Sequence, residues 1–203
     1  MADENAPPSD QQRTPAADED SPSSDPVTPV ADPQAPAADP QGPPAEGRFD
    51  SATGFAECIR TLMTQAAADG ARRIEWCDAD YLEWPIGEPA FIDTLTRWAR
   101  AGGRELVMVG VDFDAVRRRH PRFAQWRSDW AHAISCLLPD EGLRDELPTL
   151  WLDTSARVLR VFDRERWRGR MGADRLDRQR AREAFDALSQ RAVPSFSSTT
   201  LGL

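Results

Sequence analysis

The stretch RELVMVGVDFD, residues 104–114, decides the predicted fold class of this chain. Its apolar run is continuous and does not alternate with polar residues, which is typical of a strand buried on both faces of a sheet. Such strands occur in parallel sheets that helices cover on both sides. The stretch therefore predicts a central strand of an α/β fold, and the aspartates at its end mark a rim of the sheet.

Helices and short strands alternate on both sides of this central strand. Apolar residues at helical spacing predict a helix over Thr53 to Asp69 and another that begins at Pro89. RRIEWCD and AISCLL predict the flanking strands. Between them, an aromatic stripe on a third helix is expected to pack on the sheet, with Phe123, Trp126, Trp130 and Ile134 at its positions.

The C-terminal part of the pattern predicts a hairpin and a last helix. TLWLD and RVLRVF would pair through a turn at residues 154–156. Asp174 would cap the helix, whose inward residues would be Leu176, Ala181, Ala184, Phe185 and Leu188. Alternating helices and strands imply right-handed crossovers, so we expect a mainly parallel sheet with an edge hairpin and flanking helices.

Charge and composition divide the chain into three parts. Residues 1–47 carry ten acidic residues and one arginine, a formal charge of −9 that equals that of the whole chain. This segment is rich in proline and alanine and lacks Phe, Trp and Leu, so we expect a disordered acidic tail, either solubilising or partner-docking. Residues 48–193 are expected to form one domain, and residues 194–203 a C-terminal tail.

Several chemistries are excluded by residues that the sequence lacks. No lysine is present, which excludes a P-loop lysine and Schiff-base catalysis. Cys58, Cys77 and Cys136 lie in apolar runs and are expected to be buried and reduced. Neither a signal peptide nor an apolar run of membrane-spanning length is visible, so we expect a cytoplasmic protein.

The candidate site lies where two predicted neighbouring strands end. The carboxyl ends of parallel strands share one edge of a sheet, which is where α/β proteins bind ligands. Four carboxylates could meet there with a histidine and an arginine: Asp78, Asp80, Asp112, Asp114, His120 and Arg122. Together they could bind a divalent cation or support proton transfer. The alternative is that the aspartates cap turns and helices.

Other sites are less well supported by the sequence. His120 and His132 are too far apart on a helix to form a metal pair, and no Gly-x-Ser-x-Gly nucleophile motif exists. Residues 117–119 are three consecutive arginines, which could read phosphate or form a solvated face. A domain of zero formal charge behind an acidic tail argues against a nucleic-acid partner.

The segment RRIEWCDADYLEWPIGEPAFIDTLTRWARAGGRELVMVGVDFDAVRRRHPRFAQWR, residues 72–127, resembles an uncharacterised bacterial domain that is similar to half of the phospholipase D-like fold. The resemblance covers about Phe49 to Leu188. If Asp153 corresponds to the last residue of that family's His-x-Lys-x-x-x-x-Asp motif, Glu146 and Pro148 take the histidine and lysine positions. The resemblance thus implies a fold without the His-x-Lys catalytic motif.

Together these observations predict a non-catalytic, phospholipase D-like binding or interaction module. The two-half construction of that superfamily implies a possible homodimer, and a further protein partner of unknown identity is also expected. The alternative is a metal-dependent hydrolase or phosphoryl-transfer enzyme that uses the strand-end aspartates. We expect no cofactor and no membrane partner.

Overall fold

A computed structural model describes residues 46–196, which form one mixed sheet of eight strands with helices on both faces. The strand order across the sheet is β1-β7-β6-β5-β2-β3-β4-β8. The strands in chain order are β1 Gly47–Asp50, β2 Arg73–Cys77, β3 Glu105–Val109, β4 Ile134–Leu138, β5 Leu150–Asp153, β6 Val158–Asp163, β7 Arg168–Gly172 and β8 Val193–Pro194.

The expectation of a mainly parallel sheet is wrong. Only the pairs β2–β3 and β3–β4 are parallel, and the other five neighbouring pairs are antiparallel. The parallel part is the region where helices separate the strands along the chain, because a crossover helix returns the chain to the same end of the sheet. Short turns join β5 to β6 and β6 to β7, which makes these two pairs antiparallel.

Five helices flank the sheet, with bounds α1 Ala52–Ala68, α2 Pro89–Arg100, α3 Phe113–Arg119, α4 Pro121–Asp129 and α5 Arg175–Ser189. Three of them begin at a side chain that accepts a backbone hydrogen bond, as N-cap residues do: Ser51, Asp112 and Asp174. Helix α1 is followed by Gly70 at a φ of 67°, a left-handed conformation that glycine adopts without a steric penalty.

The helices lie in two layers. Helices α1, α2 and α4 cover one face of the sheet, where their apolar residues pack on strand residues such as Trp76, Met108 and Trp151. Helix α5 covers the other face, where Ala181, Phe185 and Leu188 pack on a second apolar cluster from β2, β3, β5 and β6. Strand β3 is buried on both faces, as its continuous apolar run predicts.

The predicted hairpin exists, but it does not lie at the edge of the sheet. Strand β5 pairs with β2, and β6 pairs with β7, so the hairpin lies in the interior of the sheet. The edges are β1 and β8, which the sequence patterns did not predict. Gly169 of β7 makes the outer pairing possible, because a Cβ there would lie 2.3 Å from the ring of Phe49 on β1.

Two helical predictions also need correction. Leu176 is 53% exposed, because it lies five residues before Ala181 and hence about 140° around the helix from the buried face. The aromatic stripe ends within α4, since Ile134 already belongs to β4. Phe123 contacts Trp76 of the sheet, whereas the Nε1 of Trp126 donates a hydrogen bond to Thr96 of α2 at 3.0 Å.

The ends of the chain are described only in part. The predicted acidic tail lies outside the described residues up to position 45, whereas Gly47 already pairs with Met171 in the sheet. At the other end, Phe196 is buried against Phe113, and residues 197–203 lie outside the described part. Cys58, Cys77 and Cys136 are buried free thiols, as predicted. No helix within residues 46–196 has the length and apolar character needed to cross a membrane.

Replacing Trp126 with alanine is expected to destabilise the domain by about 3–5 kcal/mol, because a buried indole between α4 and α2 would leave a cavity. Trp126 is 4% exposed. Arg118→Ala is the control on the neighbouring helix, where the side chain is 73% exposed, and should cost under about 0.5 kcal/mol. Urea denaturation measures both, and equal losses would contradict this packing.

Candidate functional site

Asp78 follows β2 and is fully buried. One carboxylate oxygen accepts hydrogen bonds from the backbone N–H groups of Asp80 and Tyr81, at 3.0 and 2.8 Å. The other accepts from the Thr149 hydroxyl at 2.6 Å and from Arg164 Nη1 at 2.7 Å. A carboxylate offers about four lone-pair positions, and four donors occupy those of Asp78.

Arg164 joins the two aspartates that follow β2. It comes from the turn between β6 and β7, and its Nη2 donates to Asp80 at 2.7 Å while Nη1 donates to Asp78 and Thr149. Burial alone would lower the pKa of Arg164, but the charges and hydrogen bonds of Asp78 and Asp80 outweigh burial and raise it. The guanidinium therefore stays charged and bridges both carboxylates.

Asp112 and Asp114 follow β3 and serve the start of α3. The Asp112 carboxylate accepts from the N–H of Ala115 at 2.8 Å, which is the N-cap interaction. Asp114 lies in the first turn, and its carboxylate pairs with Arg117 at 3.4 Å. The loops that follow β2 and β3 do touch, because the N–H groups of Val111 and Asp112 donate to the carbonyl of Ala79. The contact is between backbones, and the four carboxylates do not converge.

His120 and Arg122 lie apart from these carboxylates. His120 is buried, and its Nε2 lies 2.9 Å from the carbonyl oxygen of Tyr81. Since a carbonyl only accepts, Nε2–H is the donor. Burial lowers the pKa of His120, although this hydrogen bond opposes the shift. Arg122 is exposed on α4. The His120 side chain thus holds the loop that follows β2.

Within residues 46–196, no group of three or more His, Cys, Asp and Glu side chains is arranged to hold a metal ion. The strand-end carboxylates have few oxygens left to bind a metal ion or a substrate, because these oxygens are engaged in caps, turns and ion pairs. This arrangement matches the capping alternative that the sequence left open.

A different surface, on β1, β7 and β6, carries a row of arginines. Arg48 of β1 lies directly opposite Arg170 of β7, and Arg170 lies directly opposite Arg160 of β6. Arg160 and Arg170 share the buried carboxylate of Asp177 from α5. Arg48 and Arg168 are exposed and have no carboxylate within 4 Å among the described residues.

Phe162 lies beside this row. The β6–β7 register shifts between Val161 and Asp163, and Phe162 at that shift is 59% exposed. Bulges of this type commonly redirect a side chain. The Arg160 guanidinium lies 5.5 Å from the Phe162 ring centroid. The ring lines a groove of about 520 Å³, and we call this surface the edge face, with lining residues Arg48, Phe49, Asp50, Phe162, Arg168, Gly169 and Arg170.

Sequence reasoning missed both Arg164 and the edge face. Arg164 lies 86 residues from Asp78 in the chain, so no local pattern connects them. A signal for the edge face did exist, because RVFDRERWRGR, residues 160–170, holds five arginines interleaved with Phe162 and Trp167. Which of these residues share a face depends on the bulge and on the pairing with β1.

No protein-family model and no curated protein sequence matches the chain. The fold is similar to a solved structure described as "Structure of TrmBL2, an archaeal chromatin protein, shows a novel mode of DNA binding". The TM-score is 0.52 at 8% sequence identity, and the match covers 74% of this chain and 54% of that chain. The chain therefore spans about half the length of this structural neighbour.

This likeness corrects the expectation of a phospholipase D-like half-domain. The sheet is mixed and mostly antiparallel, and the structural neighbour is a chromatin protein. Conversely, the α/β class itself stands. The resemblance misled because it rested on the helix–strand alternation of residues 72–127. That segment contributes only β2 and β3 of the eight strands.

Replacing Arg164 with alanine is expected to destabilise the domain by about 2–4 kcal/mol, because it leaves the buried Asp78 carboxylate without its cation. The cost falls below that of a fully buried pair because Arg164 is 36% exposed. Arg166→Ala, in the same turn and 65% exposed, is the matched control and should cost under about 0.5 kcal/mol. Chemical denaturation compares the two, and similar losses would contradict a central role for Arg164.

Proposed function

We propose that this domain is a non-catalytic binding module that holds single-stranded nucleic acid on the edge face. The observation that carries the proposal is the combination of an exposed aromatic ring with arginines on adjacent strands. Phe162 is 59% exposed, and Arg48, Arg168 and Arg170 line the same groove. Proteins that bind single strands combine these two features, using cations for the phosphates and aromatic rings for the bases.

Electrostatics support an anionic partner for this surface. Like charges directly opposite each other on neighbouring strands are destabilising, yet Arg48, Arg170 and Arg160 form such a row. Asp177 neutralises part of that charge. The exposed carboxylate of Asp50 lies opposite Arg168 in the register. Asp163 of β6 lies opposite Arg168 on its other side. Four arginines against three aspartates leave one local positive charge, which a phosphate backbone would compensate.

The geometry of Phe162 supports base stacking. An aromatic ring in water gains free energy when a planar base covers it, and each base has such a face. Guanidinium groups also stack on bases and bind phosphates in a bidentate manner. Neighbouring strands lie about 4.8 Å apart, so the arginine row spans about 10 Å and fits a short stretch of a single strand.

Binding without catalysis accounts for the residues of the edge face better than an enzymatic reaction does. Its lining residues include no histidine, cysteine, serine or threonine that could act as a nucleophile. The alternative, a metal-dependent hydrolase, would use Asp78, Asp80, Asp112 and Asp114, but their oxygens already serve Arg164, Thr149 and the start of α3. No specific observation favours that alternative.

A nucleic-acid partner is the opposite of what the zero formal charge of the domain led us to expect. That expectation averaged the charge over the domain, whereas binding depends on the local arrangement. The structural neighbour is described as a chromatin protein with a mode of DNA binding, which supports testing nucleic acid first. A second copy of this chain and an acidic protein remain the competing occupants of the edge face.

Phe162→Ala is expected to weaken the binding of a fluorescently labelled single-stranded 12-nucleotide DNA or RNA by about 5- to 150-fold, which corresponds to the 1–3 kcal/mol of one stacked base. Fluorescence anisotropy of the full chain measures the affinity. The double variant Arg48→Gln/Arg168→Gln should lower the slope of log affinity against log salt by about 1.4, because each phosphate that an arginine neutralises contributes about 0.7.

Two variants serve as controls. Leu176→Ala removes a side chain of similar exposure from α5, and Arg122→Gln removes an exposed arginine from α4, so neither should change the affinity. Equal binding by the wild type and Phe162→Ala would contradict the proposal, as would a preference for the matched duplex. Light scattering without oligonucleotide tests the homodimer, and a dimer that Phe162→Ala dissociates would place a second copy on the edge face instead.

A further inference from the structure

A second arginine-lined cavity lies between α5 and the turn from β5 to β6. Its volume is about 360 Å³. Arg175, Arg178 and Arg182 line it from one side, at positions i, i+3 and i+7, which share one face of a helix. Thr154 and Ala156 of the turn line the other side. We call this cavity the α5 pocket.

Three arginines and only one acidic residue line the α5 pocket, so positive charge dominates it. Asp153 lines the cavity, but its carboxylate is buried and accepts from Arg157 Nε at 2.7 Å and from the N–H of Ser155 at 2.8 Å. Arg182 pairs with the buried Glu75. Arg175 and Arg178 have no carboxylate within 4 Å among the residues that the structure describes.

The polar groups of the turn suit an anion as well. The Thr154 oxygen accepts a hydrogen bond from the N–H of Arg72 at 2.9 Å, and its own O–H remains a donor. The side chains of Arg175, Arg178 and Thr154 thus line the same space.

We propose that the α5 pocket binds a small phosphate-bearing ligand, with Arg175 and Arg178 as the groups that contact the phosphate. The volume lies at the lower end of ligand sites, which suits a phosphomonoester or a diphosphate. Guanidinium groups match the geometry of phosphate oxygens in bidentate pairs. The lining residues include no histidine or cysteine.

This inference does not depend on the proposed nucleic-acid surface, because the two sites share no lining residue. The phosphate could belong to a free small molecule or to the end of a nucleic-acid strand. The common chemistry is a terminal phosphate with two negative charges. Comparing pyrophosphate with a 5′-phosphorylated oligonucleotide, in the Phe162→Ala chain, distinguishes these two sources of phosphate.

Isothermal titration of the full chain with pyrophosphate is the test. The double variant Arg175→Ala/Arg178→Ala is expected to weaken binding by at least about tenfold, because it removes two charge-assisted contacts. Arg180→Ala is the matched control, since Arg180 is exposed on the same helix but does not line the cavity. All three proteins should melt at similar temperatures, because Arg175 and Arg180 are exposed and Arg178 is partly exposed.

Three outcomes would overturn the proposal, and one further comparison identifies the source of the phosphate. Unchanged pyrophosphate binding in the double variant overturns it, and so does equal weakening by Arg180→Ala. Citrate that binds as tightly as pyrophosphate shows a general anion site and contradicts a phosphate ligand. In the Phe162→Ala chain, stronger binding of a 5′-phosphorylated oligonucleotide than of its 5′-hydroxyl form supports a strand end as the source, whereas pyrophosphate binding without that preference supports a free ligand.

Discussion

The ion pair between Asp78 and Arg164 is the constraint on which the rest of the site depends. It connects the end of β2, in the parallel part of the sheet, to the turn between β6 and β7 in the antiparallel part. Thr149 completes it by donating to Asp78 and accepting from Arg164. A buried carboxylate is costly without a cation, so the pair fixes the position of the β6–β7 hairpin relative to β2. The edge face is built on that hairpin.

The same chemistry recurs on the face of the sheet that α5 covers. Two carboxylates there are buried, and each has an arginine partner: Glu75 and Asp177. On the other face, the buried carboxylate of Asp153 pairs with Arg157. Arginine is suited to this role because its planar group forms several hydrogen bonds and stays charged. Arginines that remain without a carboxylate within 4 Å, in the described part of the chain, include Arg48, Arg168, Arg175 and Arg178. They line the two cavities to which we assign anionic ligands.

The strand-end aspartates show how one pattern serves two purposes. Aspartates after parallel strands suit a metal site, and the same residues suit the turns that follow strands. Asp112 became an N-cap, and Asp78 organises a turn and an ion pair. The deciding factor is the supply of donors within reach. Backbone N–H groups lie beside each aspartate in the chain, whereas a shared ligand would require side chains from two loops to turn toward each other.

Local features could be predicted from the sequence because their causes lie within a few residues. The starts of α1 and α5, the apolar strand β3, the β5–β6 hairpin and the burial of three cysteines belong to this group. Strand direction, the pairing of β1 with β7 and the interior place of the hairpin were decided only by the tertiary structure. The same holds for the partner of Asp78 and for the shared face of Arg48, Phe162 and Arg168. Periodicity reports which side of an element is apolar, but it carries no information on which distant element will cover that side.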